Sequence, residues 1–393
     1  MRELIFKSLF VLLIFSLGNV NIKAEGKFPS RLTHIAIKKE HKKDIKKEHT
    51  KIIKKEFDIS NDGKVSISNR HGEVNVNTWE KQQVKIEIII TVDERSEDKA
   101  REMFDRINID FSNGKNYVQV KTEIESKSSS WWWGSSDNND YTIDYEVYMP
   151  KENSLDLENK YGNAYISSLD NEATIQVKYG NVRMEEIRGR LDLTLGYGNG
   201  TVIKSKDADI KVSYGNIRIK NSDDLIMESK YSKIYVDHAG DIKSISKYDT
   251  YELGEIKDFK NEGKYDHIEI ISAESIRASA KYSDFKIEKI MHHADFDLAY
   301  GTVVIESLAK NFTEVQLLGR YTQFKIHVED GANYKLDAVT KYAGVGYPDK
   351  MDVVYEKEKG SSVEVEGYMG KDKNTGQVIK ARLDYGGIKV REE

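Results

Sequence analysis

Between Lys151 and Val390 apolar and polar residues alternate with a period of two, the pattern of strands with one buried face. The phase of that alternation flips at regular intervals. Each flip falls at a tyrosine: Tyr161, Tyr179, Tyr197, Tyr214, Tyr231, Tyr248, Tyr265, Tyr282 and Tyr300. The intervals are 18, 18, 17, 17, 17, 17, 17 and 18 residues, and two steps of 21 follow to Tyr321 and Tyr342. Four residues before the tyrosine stand side chains such as Leu157, Ile175, Met227, Phe296 and Leu317, with Ser244 and Asn261 as exceptions. Three and five residues after it stand pairs such as Val182 and Met184, Ile217 and Ile219, or Phe324 and Ile326.

A flip of phase needs a corner. Gly162, Gly180, Gly198, Gly215 and Gly301 directly follow the tyrosine, and glycine there predicts a residue at positive φ. Elsewhere the slot holds Ser232, Asp249, Asp266 or Ser283. Each repeat then reads strand, corner, strand, polar turn, with no room for a crossover helix. Such units bury their apolar face only by stacking on the next. The predicted fold is an all-β, parallel β-solenoid of 17–18-residue coils, its tyrosines forming a corner ladder. At the usual strand spacing, nine tyrosines over eight steps span about 38 Å.

Val65 to Val76 fits the repeat early, with His71-Gly72 in the Tyr-Gly slot. An insertion over 77–150 follows, with strands predicted at Val84–Val92, Ile109–Phe111, Tyr117–Ile124 and Tyr141–Met149. Between them Ser96 to Ile107 predicts a short amphipathic helix, Ser96 as N-cap and Ala100, Met103, Phe104 and Ile107 on one face. This insertion is expected to cover an exposed end of the stack. The main stack runs over 151–347, free of proline as paired strands require. Beyond Pro348, strands at Met351–Glu356 and Ser361–Tyr368 predict a C-terminal hairpin. Val378–Val390, with Tyr385-Gly386, repeats the pattern once more and is expected to be the last coil of a single domain over 51–393.

The start of the chain differs. Over 1–24, Arg2 and Lys7 flank an apolar core from Leu9 to Leu17, and Ala24 is a plausible cleavage residue: an export signal. A basic leader over 25–50 follows, expected to be flexible, with nine lysines between Lys38 and Lys55. Two readings fit it, an arm touching anionic lipid or polysaccharide and a solvated leader into a first strand near Lys51–Phe57. Nothing later is apolar over enough residues to span a membrane, so contact with one is at most peripheral.

The 393 residues contain no cysteine, which excludes disulfides, thiol nucleophiles and cysteine metal sites. A net charge of −5 with 32% charged residues gives a mixed surface, unlike that of a nucleic-acid-binding protein. No HExxH, GxSxG, P-loop or dinucleotide fingerprint is present. His292-His293, Asp207, Asp209 and Asp223-Asp224 fall in predicted turns, where polar residues need no chemical duty. No catalytic residue, metal site or cofactor is expected.

Two surface features stand out as candidate binding residues. Trp131, Trp132 and Trp133 lie in a Ser/Gly-bounded loop, and they either stack on sugar rings or fold back over the solenoid flank. Lys178, Lys230, Lys247, Lys264 and Lys281, together with Lys160 and Lys341, precede ladder tyrosines and form an outward column. That column suits a polyanion or, more simply, a solvated rim.

The Asn-Arg-His-Gly-Glu-Val-Asn-Val coil, the strand–helix–strand insertion, the Tyr-Glu-Val-Tyr-Met-Pro lead-in and the serial Tyr-Gly-Asn corners resemble a bacterial adhesin-like β-solenoid family of unknown function, common in Bacteroidetes. The resemblance covers most of residues 50 to 390 and rests on structural motifs. It implies an exported cell-envelope protein, in the periplasm, at the cell surface or secreted, without an assigned catalytic residue. Two functions are then in contention. One is a non-enzymatic scaffold presenting its repetitive surface to a glycan or an envelope protein. The other is a polysaccharide-active β-helix enzyme, which coils of 17 residues disfavour because they leave little loop to wall a cleft.

Overall fold

A computed structural model describes residues 47–125 and 141–393. The predicted export signal, most of the basic leader and the tryptophan loop lie outside the described residues. Among the described residues the regular structure is all β-strand, apart from one helix at Glu97–Arg106. The main stack is a parallel β-solenoid, as the alternation predicts. Lys230, Lys247, Lys264 and Lys281 are successive partners in register, so each coil repeats the one before it with a shift of 17 residues. The interior is a column of apolar side chains, interrupted at Ser244, Ser246 and Asn261. Phe259, Phe285, Phe296 and Phe324 are fully buried in it with the repeat's aliphatic positions.

Two expectations about the coil change. In the 17-residue coils pairing does not stop at the polar turns. Asn216–Lys230, Lys233–Lys247, Thr250–Lys264 and His267–Lys281 are each one unbroken run of 15 residues, interrupted only at the tyrosine and its successor. Asp207, Asp209, Asp223 and Asp224 therefore lie in paired strand, not in loops. His292-His293 also lie within a strand, Asp284–Leu308, but at a bulge: Ile290 pairs with Ala273 and His293 with Ser275. In this 18-residue coil the extra residue is absorbed as a bulge, whereas in the 18-residue coils before Tyr179 and Tyr197 residues 167–172 and 188–190 leave the strand.

The second change concerns the corner. The left-handed residue is the tyrosine itself, not the glycine after it. Among the described residues, the thirteen at positive φ other than glycine are His71 and the twelve ladder tyrosines, at φ between 50° and 65°. The following glycine answers a different demand. A Cβ on Gly180 would stand 1.9 Å from the carbonyl oxygen of Gly162, one coil below. The corners pack backbone on backbone, and glycine is there for closeness.

Both ends are closed by antiparallel strands. At the N-terminal end Tyr141–Pro150 pairs in parallel with Val74–Trp79 and antiparallel with Gln83–Glu94, which pairs with Lys47–Asp58. The helix packs Ala100, Met103 and Phe104 against the core, but Ser96 makes no side-chain cap bond. At the other end the predicted order is wrong. Val378–Asp384 lies between Glu314–Val328 and Tyr334–Lys341, in parallel with both. The final segment fills the penultimate rung, and the Tyr342 rung is outermost, covered by Ser362–Met369 and Asp352–Lys359.

Candidate binding surface

The left-handed corner throws each tyrosine ring outward, and the constant rise stacks the rings. The ladder runs His71, Tyr161, Tyr179, Tyr197, Tyr214, Tyr231, Tyr248, Tyr265, Tyr282, Tyr300, Tyr321, Tyr385, Tyr342, with neighbouring centroids 4.8–5.0 Å apart and planes within 11°. Each tyrosine keeps between 39% and 64% of its surface exposed. The result is one aromatic stripe along the stack. Burial, and secondarily the charge of Arg70, lowers the His71 pKa, so its ring enters the stack uncharged at neutral pH.

The residue before each tyrosine points outward beside the stripe. Lys230, Lys247, Lys264 and Lys281 occupy four consecutive rungs and are exposed. The ammonium groups of Lys247 and Lys264 lie 5.4 and 5.3 Å from the centroids of Tyr248 and Tyr265, within cation–π range. The structure does not bring Lys178 to this group. Gly196 and Ser213 separate them in the column, and Lys178 instead neighbours Lys160, which pairs in turn with Arg70. Lys341 stands opposite Asp384. Trp131, Trp132 and Trp133 lie outside the described residues.

On the same face a shallow groove of about 350 Å³ adjoins the column. Ile226 and Ile245 are 51% and 62% exposed in it, and Lys211, Lys243 and Lys260 rim it with Glu228 and Glu262. The sequence repeat hides this groove because its members are the variable outward positions. The face beyond the ladder has a different character. Its groove, about 470 Å³, carries Asp237, Glu252, Glu255, Glu269 and Glu288, with Arg218 paired to Asp237.

Beneath the corners lies a buried polar cluster. Asp249 and Asp266 point inward in the slot that glycine fills elsewhere. Asp266 accepts hydrogen bonds from the Ser246 hydroxyl and the amides of Asp249 and Lys264 at 2.7–2.9 Å. Asp249 accepts equivalent bonds from Ser229, Ser232 and Lys247. Desolvation outweighs these bonds and raises both carboxyls, Asp266 to about 6. These acids cap corners from inside and face no cleft. No group of acids and histidines among the described residues is placed to hold a metal ion.

Together these features define a parallel β-solenoid with an exposed aromatic ladder and one basic flank. No family model matches the chain, and no curated protein does. Solved structures do resemble it. A candidate cell-adhesion protein from Clostridium sporogenes is 11% identical over 88% of this chain and 100% of its own, with a TM-score of 0.19. A candidate adhesin from Parabacteroides merdae is 11% identical over 86% and 96%, with a TM-score of 0.28. A candidate lipid-binding protein from Parabacteroides distasonis is 11% identical over 62% and 94%, with a TM-score of 0.29. Such distant likenesses decide nothing about activity; the fold stands on the chain's own strand pairing.

Proposed function

We propose that the chain is an exported, non-enzymatic scaffold of the cell envelope that holds an extended acidic polysaccharide along its tyrosine ladder. One observation carries this reading: four consecutive exposed lysines run parallel to an exposed aromatic stripe with the same rise per rung. Sugar rings stack on aromatic faces, and repeated carboxylates along such a chain meet repeated ammonium groups. The apolar floor at Ile226 and Ile245 extends the contact. Export belongs to the reading because the first 24 residues have the make-up of a cleaved signal. No helix among the described residues is long and apolar enough to cross a membrane.

The test titrates the purified chain with polygalacturonate and with neutral dextran. Binding is expected for the acidic polymer alone, weakening as salt is raised. Changing Lys230, Lys247, Lys264 and Lys281 together to glutamine should weaken it about tenfold or more. The melting temperature should not fall, since all four are exposed and their mutual repulsion is removed. Trp131, Trp132 and Trp133 changed to alanine should weaken the same binding. Equal binding by the lysine variant, or indifference to every acidic polymer tried, sinks the reading.

A further inference from the structure

The C-terminal end of the stack is assembled out of chain order. After the Tyr321 rung the chain leaves one position empty, forms the Tyr342 rung beyond it and covers that rung with the hairpin Asp352–Met369. It then returns through 370–377 and lays Val378–Asp384 and Gly387–Glu392 into the gap. Both walls of the gap come from earlier sequence. Glu314–Val328 pairs with the inserted segment along one edge, while Tyr334–Lys341 and Val345–Gly346 pair along the other.

The inserted segment has the properties of a separable donor strand. Ile379, Ala381, Leu383, Ile388 and Val390 are buried in the stack, and Tyr385 sits between Tyr321 and Tyr342 at 4.8 Å from each. Without it the gap would expose two strand edges and a break in the aromatic ladder. The connector is polar and exposed. It is held by Asn333, whose side-chain oxygen accepts from the amides of Lys371 and Asp372. The segment is seated by repetitive strand pairing and by ion pairs from Lys380 to Glu314 and from Arg382 to Asp337, all of which a second copy offers in the same register.

We infer that Val378–Glu392 is an exchangeable rung: the segment of one copy leaves its own gap and fills that of a second copy, linking chains end to end. The absence of cysteine makes a direct test possible. Gln316 and Lys380 are partners in register, and both lie on outward positions. Their Cα separation, about 4.8 Å in paired strands, suits a disulfide.

Full-length Gln316→Cys and Lys380→Cys chains are mixed, incubated at up to about 1 mM, oxidised gently and resolved without reductant. A mixed disulfide between the two variants is expected to accumulate with concentration and time, in excess of either variant paired with itself. The double variant, oxidised while dilute, should close internally and then resist exchange. If the double variant closes but the mixture stays monomeric, even in denaturant just below its unfolding midpoint, exchange does not occur. A double variant that fails to close overturns the assigned register and the inference with it. The polysaccharide test is distinguishable because it changes Lys230, Lys247, Lys264 and Lys281, which lie on other rungs.

Discussion

A tyrosine in the left-handed region bears a penalty of roughly 1–2 kcal/mol, which glycine escapes. Ring stacking returns about 0.5–1.5 kcal/mol per pair beyond area burial, so the ladder nearly offsets its own strain. Substitution at Tyr214 separates these effects. Tyr214→Gly relieves the strain while losing the stack and should change stability by no more than about 1 kcal/mol. Tyr214→Val keeps the strain, worsens it by β-branching and should destabilise by about 2–3 kcal/mol in denaturant titration. At the next position the order reverses. Gly180→Ala adds a Cβ 1.9 Å from the Gly162 carbonyl oxygen and should destabilise by about 2–4 kcal/mol. In other coils the slot holds Ser232, Asp249 or Asp266. The variability of that slot, against the constancy of the tyrosine, is the sequence signal that could have pointed to the tyrosine instead of the glycine.

Asp266 gives a prediction with a sign. Its folded pKa, about 6, stands above the ordinary 3.8, so the native state holds the proton more tightly than the unfolded chain does. Stability attributable to this group must fall as pH rises from about 4 through 6, then level off. Asp266→Ser places there the residue that Ser283 supplies in the next coil and Ser232 two coils before. The variant should lose about 2 kcal/mol of that pH dependence in unfolding curves at pH 4.5 and 7.5. An unchanged slope relative to the parent would show the carboxyl to be ionised throughout.

At the scale of elements, the two ends differ in how far they could be read. The N-terminal insertion was legible as strand, helix and strand, because each segment carries its own periodicity. Its helix was placed within a residue, yet the predicted cap is absent: Ser96 makes no side-chain bond, and the helix is held by Ala100, Met103 and Phe104 on the core. Ser96→Ala should therefore change the melting midpoint negligibly, well under the ~1 kcal/mol of an ordinary N-cap. The C-terminal rung was legible as a coil but not in its place. A pattern that every rung shares carries no information about which two rungs it lies between. Leu383→Ala should destabilise by about 3 kcal/mol, as a core position does, because the rung is enclosed on both sides.

Across the whole stack, a constant rise turns single-residue choices into lines. One lysine before one tyrosine is a solvated side chain; four in consecutive register form a row of like charges about 4.8 Å apart. A bound polyanion should relieve that repulsion and stabilise the fold by mass action, by about 2.7 kcal/mol at a hundredfold excess over Kd. Thermal unfolding with and without polygalacturonate should show the shift in the parent chain and lose it in the four-lysine variant.

The sequence alone determined the strand period, the coil length, the inward side chains and the solenoid, because each is local pattern repeated at fixed interval. Tertiary structure decided which corner residue carries the strain, which lysines become neighbours, and where the last rung sits. Those depend on contacts between coils, and identical coils leave their order and spacing to be settled only when backbone meets backbone.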